Sequence, residues 1–335
     1  MLSKVALFDV GNVKYRICMS VCLVIIFASP VFAGLPDTGQ SKCYDDTKEI
    51  PCPKPGQDFY GQDGNYTINP PSYTLLGGGA MVKDNVTGLI WENKTTDGSI
   101  HDADKSYSWH DARNIFIAQL NSSKFGGYDD WRLPSMEELR SIMDYGRAPH
   151  INTEYFPIIR SEHYWSSSTY TNVTDAAWRV GFGGNNNENY PDASVKSCVR
   201  AVRGGQSSGN WVSNNNGTVE DKNNGLMWQQ TTGNNDQPMI WKEALSYCAN
   251  LTLAGYKDWR LPNIKELASL VDMSNHRRPV IDNKYFSNTR SDYYWSSTSL
   301  PNSAWYVSFE RGYSGNDKDS VKSNSYYVRC VRGGQ

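Results

Sequence analysis

Three features of the 335-residue chain predict a mixed α+β architecture built twice in tandem, each copy with two helices packed on short antiparallel strands. The first is a repeat of tryptophans. Trp91, Trp109, Trp131, Trp165 and Trp178 return as Trp228, Trp241, Trp259, Trp295 and Trp305, with Trp211 left over. The text around them returns too. Asp130-Trp131-Arg132-Leu133-Pro134 is answered by Asp258-Trp259-Arg260-Leu261-Pro262, and Tyr164-Trp165-Ser166-Ser167 by Tyr294-Trp295-Ser296-Ser297. Val199 to Gln206 matches Val328 to Gln335 with one change, Ala201 to Cys330. A period of roughly 130 residues is far longer than a solenoid unit, so it means two copies of a whole domain. The second feature is a capping signature in each copy, Ser135 with Glu138 and Asn263 with Glu266, just before an apolar helical face. The third is a Tyr/Trp/Ser/Val-rich second half with Gly/Asn breaks, which reads as short strands.

Each element follows in chain order. Lys4, Lys14 and Arg16 form a basic n-region, the run Ile17 to Phe27 is apolar, and Val31-Phe32-Ala33 ends in a small-residue cleavage pattern before Gly34. Residues 1–33 therefore read as a secretory signal peptide, with Met19 an alternative start and an uncleaved anchor the competing reading. After cleavage no segment is apolar enough to span a membrane. Residues 34–74 read as a leader or linker, an extended segment with a small loop closed by Cys43–Cys52. The first domain is set at 75–206 and the second at 210–335. In the first, Ala112, Ile115, Phe116 and Leu120 fall at helical spacing after Ser108; Ala244, Leu245, Cys248 and Leu251 answer them. The second helix carries Leu139, Ile142 and Met143, answered by Leu267, Leu270 and Val271. Ala177-Trp178-Arg179-Val180-Gly181-Phe182 and Ala304-Trp305-Tyr306-Val307-Ser308-Phe309 alternate as strands do.

The cysteines bear on the compartment. Five of the seven lie beyond residue 33: Cys43, Cys52, Cys198, Cys248 and Cys330. Cys248 and Cys330 stand where the first copy has Phe116 and Ala201, so both are absent together there, as a bonded pair would be. A Cys248–Cys330 disulfide is expected, tying the first helix to the last strand and adding ~4 kcal/mol in the entropic account. Cys198 has no counterpart; it is a buried free thiol, a partner in a dimer, or a sign of different pairing. An exported chain keeps such bonds.

Composition excludes several classes. With 11 Trp, 21 Tyr and 10 Phe the chain is not disordered. Loss of residues 1–33 removes three basic residues and one acid, leaving 30 basic against 34 acidic, net −4. That balance gives no support to nucleic-acid binding.

The Trp-Arg-Leu-Pro helix start, the Tyr-Trp-Ser-Ser strand and the terminal Arg-Cys-Val-Arg resemble the Lcl C-terminal domain of bacterial collagen-like adhesins, a family long catalogued as a domain of unknown function. The resemblance covers both copies, about 260 residues, and rests on several motifs in fixed order, twice. It implies a C-type-lectin-like fold, related to that of the formylglycine-generating enzymes, and secretion or surface display with binding of sulfated glycans. The helix-to-last-strand disulfide resembles the one typical of C-type-lectin-like domains. No Gly-X-Y tract is present, which puts the trimeric presentation of those adhesins in doubt.

Catalytic candidates fare poorly. His101, His110, His150, His163 and His276 have no counterparts between copies and no metal-ligand spacing. Ser166-Ser167-Ser168 and Ser296-Ser297-Thr298 lack a nucleophile elbow and a repeated base, so they read as strand serines bonding the backbone. Asp130/Arg132 and Asp258/Arg260 read as structural ion pairs. Arg200/Arg203 and Arg329/Arg332 read as structural strand residues or as a grip on an anion. A formylglycine-generating activity needs a reactive, metal-binding cysteine pair that the cysteine pattern does not supply. The expectation is therefore no enzyme.

The loop after the Ala-Trp strand is the ligand-binding candidate: Asn185, Asn186, Asn187, Asn189 and Asp192 in copy one, Asn316, Asp317 and Asp319 in copy two. Oxygen-rich side chains on a glycine-rich loop suit sugar hydroxyls or Ca²⁺, and equally a solvated turn. The Glu-Pro-Asn and Trp-Asn-Asp signatures of sugar-binding C-type lectins are absent, which counts against calcium-dependent binding. No cofactor is required. The function expected is an exported, adhesin- or lectin-like binding protein, in the periplasm, at the surface or released, with an extracellular glycan or protein ligand. Two linked sites would give avidity. The alternatives are an envelope assembly protein with a protein ligand and a degenerate formylglycine-generating-enzyme-like protein.

Overall fold

The computed structural model describes the short antiparallel pair Leu7–Asp9 and Lys14–Arg16, and then residues 34–334 apart from 161, 171–174, 184–187, 206–208, 276 and 317–319. The rest of the expected signal peptide, with its cleavage site, lies outside the described residues. Among the described residues no helix is long and apolar enough to cross a membrane.

Each copy carries two small antiparallel sheets and two helices. In the first copy a four-stranded sheet runs in the order Val202–Arg203, Ile90–Glu92, Met81–Asp84, Tyr73–Leu76. The second copy repeats it as Val331–Gly333, Leu226–Gln229, Thr218–Asp221, Trp211–Ser213. The last strand thus returns to lie beside the third. A tight turn joins second and third strands in both, with Gly88 and Gly225 at φ +75° and +72°, a conformation that favours glycine. The second sheet is a meander of His163–Thr169, Ala177–Gly181 and Glu188–Asn189, matched by Tyr293–Leu300, Ser303–Ser308 and Ser314–Gly315.

The first helix of copy one runs through Trp109–Asp111, a π-helical stretch Ala112–Ile117, and Ala118–Ser122; its counterpart is Trp241–Ala249. Phe116 and Leu120 are four residues apart where Cys248 and Leu251 are three apart, and a π-turn is the usual way to absorb one extra residue. The second helices, Met136–Ser141 and Ile264–Ala268, both open on complete capping boxes. Each cap glutamate has a second task. Glu138 takes a two-pronged grip from Arg132 at 2.7 and 2.6 Å, and Glu266 one from Arg260 at 2.6 Å on both oxygens. The ion pairs expected within Asp130/Arg132 and Asp258/Arg260 are therefore not formed. A carboxylate that accepts two parallel N–H bonds outcompetes a single-contact partner. Asp130 instead holds Arg203, and Asp258 holds Arg332.

The repeated tryptophans are buried, and several repeat the partner of their indole N–H. Trp109 and Trp241 donate to the carbonyls of Ser166 and Ser296, both at 2.8 Å. Trp165 and Trp295 donate to Tyr107 and Met239 at 2.9 and 3.0 Å. Each copy keeps a private core beneath its first helix: Trp109, Phe116, Leu120 and Trp131 in one, Trp241, Leu245, Cys248 and Trp259 in the other. Cys248 and Cys330 are bonded, and Cys43 is bonded to Cys52. In copy one Phe116 and Ala201 share the core at the equivalent place, a large and a small side chain where the other copy has two sulfurs.

A third core belongs to both copies. Leu139, Ile142, Trp178 and Val180 of one pack in the same cluster as Leu267, Leu270, Trp305 and Val307 of the other. At its edge sits a buried polar junction. Arg140 donates to both oxygens of Glu188 at 2.8 and 2.6 Å and to the Gly312 carbonyl at 2.9 Å. The leader is not a free linker. Cys43–Tyr44 pairs with Glu49–Ile50, and the segment is threaded into both copies. Tyr145 donates its amide to the Thr38 carbonyl at 2.7 Å, Lys265 donates to the Asp37 carbonyl at 2.8 Å, and Lys322 donates to the Asp45 carbonyl at 2.6 Å.

Candidate functional site

The loops singled out in the sequence are only partly described. Asn185, Asn186, Asn187, Asp317 and Asp319 lie outside the described residues. Asn189, Asp192 and Asn316 lie within them, and each belongs to a local frame. Asn189 pairs with Arg179 on the neighbouring strand. Asp192 accepts from the Ser194 amide at 2.8 Å, and the hydrogen bonds from Ser194 hold its carboxyl below the usual range. Asn316 follows the strand pair Gly315 to Tyr306. Among the described residues no three His, Cys, Asp or Glu side chains converge as metal ligands would.

The repeated arginines settle into structural places. Arg200 and Arg329 are fully buried. Arg200 donates to the Glu92 carbonyl at 2.7 Å and lies over Phe156; Arg329 donates to the Gln229 carbonyl at 2.9 Å and lies over Phe286. Arg203 and Arg332 stack on Tyr128 and Tyr256 at 3.6 and 3.7 Å while gripping Asp130 and Asp258. None of the four is available to hold an anion. The serines are structural as well: Ser166 and Ser296 donate to the carbonyls of Trp178 and Trp305, both at 2.8 Å. Cys198 is buried, with its thiol pushed up to about 11 by burial and the neighbouring Glu162. A thiol held so far in its neutral form is a poor nucleophile.

What the two loops do together could not be read from either alone. The strands that flank them converge, one from each copy, on a surface cleft of ≈ 410 Å³. Copy one contributes Arg179, Glu188, Asn189, Tyr190 and Pro191, and copy two contributes Arg311 and Tyr313; the Glu188 carboxylate is already taken up by Arg140 and Ser314. Tyr190 stacks on Tyr170 at 3.8 Å between ring centres and meets Trp178 edge-on at 4.7 Å. That packing holds its ring as a shelf. The Arg311 guanidinium lies beside the Tyr190 hydroxyl at 3.4 Å and is 46% exposed. Arg179 is fixed from behind: it donates to Asn189 Oδ1 at 2.5 Å and to Ser197 Oγ at 2.8 Å. Burial and the charge of Arg179 lower His163 to about 4, so its ring stays neutral and its Nε2 can accept from the Asn189 amide at 3.0 Å. The chain Arg179–Asn189–His163 therefore sets one cation rigidly, while Arg311 is held loosely, by Glu310 at 3.9 Å and by the Tyr190 hydroxyl. Tyr190, Arg311 and Tyr313 all occupy the candidate loops, beside the asparagines and aspartates that marked them in the sequence.

Fold and surface together define a tandem α+β domain protein whose two copies share a core and both contribute residues to one surface cleft. The Lcl C-terminal domain matches residues 80–203 and again 217–332, and the chain belongs to that family. No curated protein matches the chain. Its two disulfides point to an oxidising, extracytoplasmic setting.

Proposed function

We propose that this is an exported, non-enzymatic binding protein of adhesin type on a C-type-lectin-like frame, and that its ligand is an anionic glycan. The observation that carries the reading is the pair Arg179 and Arg311, one from each copy, flanking the Tyr190 shelf in one cleft. Guanidinium forks suit sulfate and carboxylate groups, and the half-buried Tyr190 ring suits the apolar face of a sugar. The chain is acidic overall, so the attraction is local and geometric. Family membership supports the reading, since the Lcl C-terminal domain takes its name from collagen-like adhesins. In place of two linked sites, the meeting of Arg179 and Tyr190 with Arg311 and Tyr313 in one cleft supports one composite site per chain.

The test is a screen of the folded, oxidised chain against neutral, sialylated and sulfated glycans, with calcium and with EDTA. Binding confined to sulfated or carboxylated glycans, and insensitive to EDTA, is the result expected. Binding that needs calcium would move the site to the Asn/Asp loops. Absence of binding to every glycan would favour the competing reading, a protein ligand within an envelope assembly.

A further inference from the structure

The two copies pack through equivalent elements, so the clefts along their contact can be compared across the repeat. Two of these clefts are equivalent in the repeat, and the leader fills one of them. On the filled side Lys265, at the start of its helix, donates to the carbonyls of Asp37 and Ser141, both at 2.8 Å. Thr298 donates to Asp63 at 2.7 Å, and the Tyr145 amide donates to the Thr38 carbonyl at 2.7 Å. In the repeat, Lys265 corresponds to Glu137, Thr298 to Ser168, and Tyr145 to Met273. Those three residues line a second cleft of ≈ 430 Å³, beside Trp211 and Asp272.

Two details show that the second cleft keeps the peptide-holding features of the first. Ser168 accepts from the Met136 amide at 3.2 Å just as Thr298 accepts from the Ile264 amide at 3.0 Å, which leaves the Ser168 hydroxyl proton to point elsewhere. The Met273 amide, the counterpart of the one that binds Thr38, makes no hydrogen bond among the described residues. An unpaired amide on a cleft wall is a donor awaiting a carbonyl. The charge, however, is inverted. The filled cleft has a lysine facing a leader that brings Asp37 and Asp63; the second has Glu137 with Asp272 and Asp282. Arg140, also on this wall, is already saturated by Glu188.

We propose that this second cleft is a docking site for an extended, basic peptide segment of a partner protein, laid as the leader is laid on the other side. The occupant gives a backbone carbonyl to Met273 and a lysine or arginine to Glu137. Its path departs from the leader's at one point. Gly146 lets the Gly39 carbonyl approach to where a side chain could not fit, and its counterpart is Ser274, so the occupant stands off there. The site is separate from the Arg179/Arg311 surface and does not depend on the glycan reading.

The probe is a fluorescent peptide of residues 35–40 carrying Asp37→Lys, titrated into the full chain at pH 8. At that pH Glu137, which is exposed on the cleft wall, is ionised. The basic peptide is expected to bind at least tenfold more tightly than the same peptide with Asp37 kept. Glu137→Lys is expected to reverse that preference, and Glu137→Gln to abolish it. Failure of the basic peptide to bind, or a preference unchanged in both variants, would overturn the proposal.

Discussion

Glu188 of the first copy and its repeat counterpart Ser314 of the second meet face to face, the Ser314 amide and hydroxyl both donating to the Glu188 carboxylate at 2.8 and 2.6 Å. Equivalent strands of the two copies therefore touch. Arg140 completes the contact from the first copy's second helix, and the whole group is buried. A buried charge pair of this kind is weak evidence for stability as it stands, but removing one member strands the other.

Glu188→Ala is accordingly expected to destabilise the chain by about 3–5 kcal/mol, because it leaves Arg140 buried and unpaired. Urea denaturation followed by tryptophan fluorescence measures it. The double variant Glu188→Ala/Arg140→Met should recover most of the loss. A single-variant effect below ~1 kcal/mol would show that the junction is wet and the copies loosely joined.

The Cys248–Cys330 bond closes a span of 82 residues. Replacing both cysteines by alanine is expected to lower stability by about 2–5 kcal/mol. Replacing them by the pair the first copy uses, Cys248→Phe with Cys330→Ala, should recover part of that, since Phe116 and Ala201 already fill the equivalent core. Thermal melts of the three variants against the parent decide the order.

Asp63 links pH to the leader's seat. Its carboxyl is buried between the Thr38 and Thr298 hydroxyls, at 2.6 and 2.7 Å, and burial raises it from 3.8 to about 7. A carboxyl raised in this way binds its proton more tightly in the folded state than in the unfolded one. Its contribution is therefore most favourable below about pH 4 and declines as pH rises to about 7. Asp63→Asn should flatten the stability profile across that window. A parent profile no steeper than the variant's between pH 4 and 7 would remove Asp63 from the account.

Cys198 is expected to resist alkylation at pH 8 in the folded chain and to react only after unfolding, because its thiol is buried and held neutral. Peptide mapping after iodoacetamide treatment gives the answer directly.

Much of the fold was legible because its signals are local. The capping boxes at Ser135 and Asn263, the turn glycines Gly88 and Gly225 and the repeated tryptophans each act over a few residues, and each appears twice. The contact between the copies was not legible, since a repeat fixes two folds without fixing their relation. In retrospect its trace lies where the repeat is broken. Arg140 against Ala268, Glu137 against Lys265 and Glu188 against Ser314 are the mismatched pairs, and all six line the contact or its clefts. The candidate loops were chosen for their asparagines, whereas the cleft's cations come from Arg179 on a strand and Arg311 at a turn. The pairing of Asp130 with Arg203 was hidden for a related reason: it joins residues 73 apart in the chain.

The central claim is that both copies build one anion-binding site. Calorimetric titration of a sulfated glycosaminoglycan oligosaccharide, into the full chain and into Arg311→Glu, tests it most directly. The account predicts one site per chain and an affinity at least tenfold lower in the variant, the loss of one charge-assisted hydrogen bond or more. Two independent sites per chain, or an affinity that Arg311→Glu leaves unchanged, would contradict it.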